Sequence, residues 1–194
     1  MLFGKVKKLT EKRDGRPGTI SLYLQDASQK QLRKWSLSLL SRRDPKNLLE
    51  IGLGAGASLQ AMMKEWPASH AIAIDHTSQT VTMAARSNAD AIKQGRCIVM
   101  EGEACHLPFP DDTFDLIVAF DSISSWKNLN DSVLDIYAEL VAGGCFAIIN
   151  ADDKGPGFDE SSLRPLLYDA GFSRVKAYRH EADPWLMLVA EKEQ

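Results

Sequence analysis

The sequence predicts an α/β domain of the doubly wound kind. Three observations predict it. Short apolar runs of strand length alternate along the chain with stretches whose apolar residues recur at helical spacing. The stretch Asn47-Leu48-Leu49-Glu50-Ile51-Gly52-Leu53-Gly54-Ala55-Gly56-Ala57 reads as a buried strand, a glycine turn and a helix start. Asp75 ends the second apolar run, 23 residues after Gly52, where a carboxylate can accept hydrogen bonds from ribose hydroxyls.

Gly52, Gly54 and Gly56 remove Cβ atoms at alternate positions, so the backbone can turn sharply and approach a ligand. The first N–H groups of the helix that starts at Ser58 then point back at the turn and attract a carboxylate or phosphate. Gly52-x-Gly54-x-x-Ala57 fits the dinucleotide fingerprint, with Ala in the third place. Glu50-x-Gly52-x-Gly54-x-Gly56 also resembles the first motif of class I methyltransferases, which bind S-adenosylmethionine. A tight turn without a ligand is the third reading, and Asp75 suits either cofactor.

Composition bounds these readings. The 194 residues suit one domain with a real core, and 44% hydrophobic with 25% charged residues is ordinary for a globular chain. A net charge of −3 does not by itself mark a nucleic-acid binder. The charge is uneven: residues 1–43 hold eleven Lys/Arg against three Asp/Glu, and the remainder twelve against twenty-three. Residues 1–25 therefore read as a basic N-terminal arm and residues 26–194 as the domain proper. Cys97, Cys105 and Cys145 are an odd, scattered set, which argues against a disulfide frame and against a zinc or other metal site. Lys5, Lys7 and Lys8 interrupt any apolar signal core, and Leu140–Ile149 is too short to span a bilayer, so no membrane role and a reduced, cytoplasmic setting are expected.

The elements follow in order. Asp14-Gly15-Arg16-Pro17-Gly18 is a turn cluster, Thr19–Leu24 a short strand or ordered arm, and Asp26 a cap for a helix reaching about Arg43. That helix sets Leu32, Trp35, Leu39 and Leu40 on its apolar side. After the glycine turn, Leu59, Met62, Met63 and Trp66 line one helical face until Pro67 ends it. His70–Asp75 is the second strand, with Ile72 and Ile74 inward, and Thr77 or Ser78 caps the helix that runs from Val81 to Ile92 and stops at Gly95. Cys97–Met100 is a third, wholly apolar strand, and Phe114–Phe120 a fourth. Asp131 opens a helix burying Val133, Leu134, Tyr137, Leu140 and Val141. Ala142-Gly143-Gly144 stops it, and Cys145–Ile149 is the fifth strand. Lys154-Gly155-Pro156-Gly157 is a turn, Ser161–Ala170 the last helix, and Arg174–His180 with Trp185–Glu191 the final strands.

The segment Gly102-Glu103-Ala104-Cys105-His106-Leu107-Pro108-Phe109-Pro110-Asp111-Asp112-Thr113-Phe114-Asp115-Leu116-Ile117-Val118 separates the cofactors. It resembles the G-D-A-x-x-L-P-F-x-D-x-x-F-D-L-V signature of class I methyltransferases, and nicotinamide dehydrogenases have no such element. Glu139-Leu140-Val141-Ala142-Gly143-Gly144-Cys145-Phe146 is similar to the family's E-x-x-R-V-L-K-P-G-G-x-F stretch, without its basic residues and Pro. The resemblance covers roughly residues 30 to 192. It implies the Rossmann-like methyltransferase fold: seven strands, mostly parallel, helices on both faces and the last strand antiparallel.

The resemblance implies S-adenosylmethionine as methyl donor. Glu50, Gly52, Gly54 and Gly56 would serve its methionine portion, Asp75 the ribose, His76 the adenosine, and Glu103 with the Ala104 N–H the adenine edge, with Phe120 completing the set. The family carries Asp where this chain has Glu103, which shifts or loses the contact to the adenine amino group. The loop after the fourth strand should face the methyl group. Asp121 there can hold the methionine amino group, orient the acceptor or cap a turn, and Trp126 can gate the site or pack on its lip. Those two are the catalytic candidates. Ser124-Ser125 stand where family members often carry an aromatic or His pair. The D/N-P-P-Y type motif of enzymes that methylate nucleic-acid amino groups is absent. A small-molecule acceptor is the first expectation, with protein or RNA second and a homodimer a possible assembly. A cofactor-binding module without turnover, and a nicotinamide-dependent reductase, are the rival classes.

Overall fold

The structure, a computed structural model, describes residues 29–152 and 158–194. The predicted basic arm at 1–25, its turn and strand, the Asp26 cap and the turn at 154–157 lie outside the described residues.

Seven strands form one sheet: β1 (Asn47–Ile51), β2 (His70–Asp75), β3 (Cys97–Glu101), β4 (Phe114–Phe120), β5 (Leu140–Asn150), β6 (Arg174–Arg179) and β7 (Leu186–Glu191). Their order is β3-β2-β1-β4-β5-β7-β6. The β1–β5 pairings are parallel, and β7 runs antiparallel to both β5 and β6. The predicted fold class and the antiparallel last strand are therefore present. The described helices are α1 (Lys30–Leu40), α2 (Ala57–Glu65), α3 (Ser78–Ser87), α4 (Ala89–Lys93), α5 (Leu129–Glu139) and α6 (Glu160–Asp169).

The central strands are buried on both faces, so their residues feed two cores. Leu48, Leu116, Val118, Cys145 and Ala147 meet α1, α2 and α3 on one side. Leu49, Ile51, Ile117, Phe146 and Ile148 meet α5 and α6 on the other. Each fully buried Leu, Ile or Phe contributes roughly 1.5–3 kcal/mol, so the sheet centre is the most stable part of the molecule. Its carboxyl edge, where β1, β2 and β4 end, inherits that rigidity.

Several element predictions need correction. In α1 the buried stripe is Leu32, Arg33, Ser36, Leu37 and Leu40, and Leu39 is exposed. The stripe is rotated by roughly a quarter turn from the predicted one. Trp35 lies on its flank, edge-on to His180 at 5.7 Å and 6.0 Å from Trp185. The helix predicted for 81–92 is two helices that meet at Asn88, whose buried side-chain amide donates to Gly56 O at 3.1 Å and to Ala84 O at 2.9 Å. Ile98 in β3 is exposed because β3 is an edge strand, and Ile72 is only half-buried. In α5, Asn128 caps the start by accepting the Asp131 N–H, Ile136 takes the buried place given to Leu134, and Leu134 is exposed. The chain turns extended already at Leu140, and β5 runs through Gly143, at φ 78°, rather than starting after it. No helix among the described residues is long and apolar enough to cross a membrane.

Candidate functional site

A cleft of about 560 Å³ opens at the carboxyl ends of β1, β2 and β4, the usual ligand position in open α/β sheets. Its volume lies within the range of small-molecule sites. Gly52, Gly54, Asp75, His76, Glu103, Ala104, Phe120, Asp121 and Trp126 line it. Nine of the sequence-predicted site residues are thus brought to one place by strand ends that are far apart in the chain.

The glycine turn is built for close approach. Gly52, Gly54 and Gly56 have φ of 88°, 51° and 89°, all in the left-handed region. A Cβ on Gly52 would lie 2.3 Å from Ser122 Cβ, so the first glycine makes room for the loop after β4. Ser122 in return donates to Ile51 O at 2.6 Å. A Cβ on Gly56 would meet Ala84 Cα at 2.8 Å, so this glycine admits α3 and does not line the cleft. Glu50 also stands behind the turn. It is fully buried, does not line the cleft, and accepts a hydrogen bond from the Ser58 hydroxyl at the start of α2. The sequence groups Glu50 and Gly56 with the ligand contacts; the structure makes them supports of the turn.

Asp75 is buried at the end of β2. Its Oδ2 accepts the Leu53 N–H at 3.0 Å, and its Oδ1 accepts the Thr77 N–H and hydroxyl, each at 3.0 Å. These bonds clamp the glycine turn to the β2 end. A carboxylate has about four acceptor positions, so roughly one remains for a ligand. His76 Nδ1 is 3.5 Å from Asp75 Oδ1 and its ring is half-exposed on the cleft wall. Thr77 stands at the head of α3 without capping it through its side chain.

Glu103 is half-exposed on the cleft wall. It accepts a bond from Lys127 Nζ at 2.6 Å, and that bond holds the Glu103 carboxyl below its usual range. Ala104 beside it is buried. Cys105 and His106 continue the loop, and His106, at φ 60°, donates its N–H to Asp135. Neither lines the cleft.

Past β4, Asp121 sits at φ 48° and its N–H donates to Ile149 O at 2.7 Å. Its Oδ1 accepts the Ala151 N–H at 3.2 Å and its Oδ2 accepts Gln29 Nε2 at 2.5 Å. Trp126 lies half-buried on the lip, stacked on Phe146 with ring centroids 6.3 Å apart and planes 18° from parallel. It both packs and lines the cleft. Gln29, Ser58, Thr80, Ser122 and Ser125 also line the cleft. Apart from Ser125, in the Ser124-Ser125 pair, none of them stands out in the sequence, because polar residues in turns carry no periodic signal.

Among the described lining residues, Asp75, Glu101, Glu103 and Asp121 are acidic and none is Lys or Arg. With the Glu103 charge offset by Lys127, the remaining three carboxylates still favour a cation. S-adenosylmethionine, with its sulfonium and ammonium groups, fits this lining, and so does the combination of an apolar wall from Ile74, Ala104 and Phe120 with the Asp75 carboxylate.

Comparison with known proteins agrees. The family described as "Methyltransferase domain" matches residues 49–148. The chain is 25% identical over 177 residues to an uncharacterized methyltransferase, YdaC, of Bacillus subtilis, covering 88% of this chain and 96% of that one. It is 32% identical over 151 residues to a phosphatidylethanolamine N-methyltransferase of Cereibacter sphaeroides, covering 74% and 71%. The crystal structure of a SAM-dependent methyltransferase from Aquifex aeolicus superposes with a TM-score of 0.76 at 20% identity, covering 91% of this chain and 99% of that one. The chain belongs to the methyltransferase-domain family, the class I enzymes that take their methyl group from S-adenosylmethionine.

Proposed function

We propose that the cleft holds S-adenosylmethionine along the β1–β3 half and presents its methyl group to a small-molecule acceptor beside the β4 loop. The observation that carries this reading is the clamp at Asp75. One carboxylate holds both the glycine turn and the head of α3, and keeps an acceptor position for a ribose hydroxyl. Gly52 and Gly54, with Ser58 at the start of α2, would take the methionine end. The Ala104 N–H would meet the adenine ring nitrogen, and Glu103 the adenine amino group in exchange with Lys127. His76 and Phe120 would flank the nucleoside. Glu50 and Gly56 serve this site from behind, through Ser58 and α3.

The sulfonium supplies an already activated methyl group. What remains for the protein is to align the acceptor with the methyl carbon and strip water from it. Phe120, Ser122, Ser125 and Trp126 stand where that alignment would be made. A small-molecule acceptor is supported by the width of the cleft and by relatives whose names give small substrates, a demethylmenaquinone methyltransferase and an erythromycin 3''-O-methyltransferase among them.

The test is isothermal titration with S-adenosylhomocysteine, NAD and NADP. Saturable binding of S-adenosylhomocysteine alone is expected, with a loss of at least about tenfold in Asp75→Ala, the order of one hydrogen bond to a charged group. Binding of NAD or NADP instead, or unchanged affinity in the variant, would sink the assignment.

A further inference from the structure

The two edges of the sheet differ in what they offer another chain. β6, at one edge, carries Arg174, Lys176 and Arg179, all exposed. Charged side chains of that kind keep an edge from pairing further. β3, at the other edge, pairs among the described residues with β2 alone. Its body, Cys97-Ile98-Val99-Met100, holds no charge, proline or glycine. Arg96 O and the Gly102 N–H bond to β2. By alternation, the N–H and C=O groups of Cys97, Val99 and Glu101 point outward. Ile98 is 56% exposed. It stands beside Ile72 in the β2–β3 register and shares a face with Met100, and both of those are half-buried. Edge and face together make an apolar strip bordered by a row of outward backbone groups.

We infer that β3 is the interface of a two-fold homodimer, in which it pairs antiparallel with β3 of a second copy about an axis at Val99. Three features select a second copy as the occupant. Val99 is the middle one of the outward-facing residues. An axis there sets Cys97 of each copy opposite Glu101 of the other, so outward groups meet outward groups in hydrogen-bonded pairs. The same register sets Ile98 opposite Met100 of the second copy on one face, which joins the two apolar strips, and such cross-strand pairs stabilise a sheet. Charge is the third feature. The chain enters β3 through Lys93 and Arg96 and leaves it through Glu101, which is exposed. Antiparallel pairing brings the basic end to the acidic end twice, whereas parallel pairing of two copies sets like against like. The joined sheet leaves the two clefts at opposite ends of its strands. Glu101 lines the cleft, so the interface braces the strand end that carries Glu103 and Ala104.

The test is sedimentation velocity of the full chain over a concentration series, beside Ile98→Lys, Arg96→Glu, Glu101→Arg and the double charge swap. The wild type is expected to form a dimer that dissociates on dilution. Ile98→Lys should weaken it by about tenfold or more, since it sets a charge in the middle of the edge. Ile98 is exposed, so the folded monomer should keep its circular dichroism. Each single charge swap should weaken the dimer by about threefold or more, and the double swap should return it to within about threefold of wild type. A monomer at every concentration overturns the inference and leaves the edge to a different protein. A dimer that Ile98→Lys leaves intact overturns it too, because the contact then lies elsewhere. Should Ile98→Lys fail to fold, the swaps decide: a double swap that dimerises no better than the single ones overturns the inference.

Discussion

Gly52 shows how much a single residue carries. At φ 88° it occupies a conformation that costs any side chain, and the missing Cβ is the space that Ser122 fills. Gly52→Ala is expected to cost about 1–3 kcal/mol from the strained backbone alone, and to displace the loop bearing Asp121. Calorimetric unfolding and S-adenosylhomocysteine titration check both parts. Glu139 is the opposite case, a residue whose burial was invisible in the sequence. It closes α5, is buried, accepts the Phe109 N–H, and its Oε2 has no hydrogen-bond partner among the described residues. Burial, reinforced by the Asp135 and Asp111 charges, pushes its carboxyl up to about 8. The folded chain then keeps a proton that the unfolded chain releases near 4.5. Its stabilising share is complete below that lower value and is lost as pH rises to about 8, at no more than about 1.4 kcal/mol per pH unit. Glu139→Gln should flatten that part of the stability–pH curve, as measured by urea unfolding at stepped pH. An unchanged slope would refute the burial argument.

At the scale of elements, α1 distinguishes periodicity from packing. Two stripes of α1 are apolar enough to face inward, one through Leu39, which the helical spacing predicts, and one through Leu37. The structure buries Leu37 at 6% exposure and leaves Leu39 at 37%. Leu37→Ala is therefore expected to cost about 2–5 kcal/mol and Leu39→Ala within about 0.5 kcal/mol, and the reverse order in denaturant unfolding would contradict the packing. The break between α3 and α4 has the same origin. Asn88 fits a helical repeat in sequence, yet its amide is spent on Gly56 O and Ala84 O, which ties the helix end to the glycine turn. Strand β5 begins early for a tertiary reason too: its first residue, Leu140, pairs beside Phe114.

At the scale of the molecule, the sheet assembles the cleft from strand ends. Asp75, Ala104 and Asp121 meet there only because β1 lies between β2 and β4. A ligand that binds this assembled site stabilises the whole chain by mass action. S-adenosylhomocysteine at a hundred times its dissociation constant should add about 2.7 kcal/mol, or roughly 5–11 °C in Tm for a chain of this size. Thermal denaturation measures it, and a shift that fails to grow with ligand concentration would contradict binding at the assembled site. Much of this architecture could be read from the chain. Strand and helix alternation, the glycine turn, Asp75, and the Glu103–Phe109 loop are local signals, since periodicity and backbone freedom are properties of neighbouring residues. The chain by itself therefore determined the fold class and nine of the residues that line the cleft. The supporting role of Glu50 and Gly56, the pairing of Glu103 with Lys127, the Asn88 tie and the recruitment of Gln29 against Asp121 were decided in three dimensions. Each depends on which surface a distant element presents, and that is set by the packing of helices across the sheet, not by anything in the neighbouring sequence.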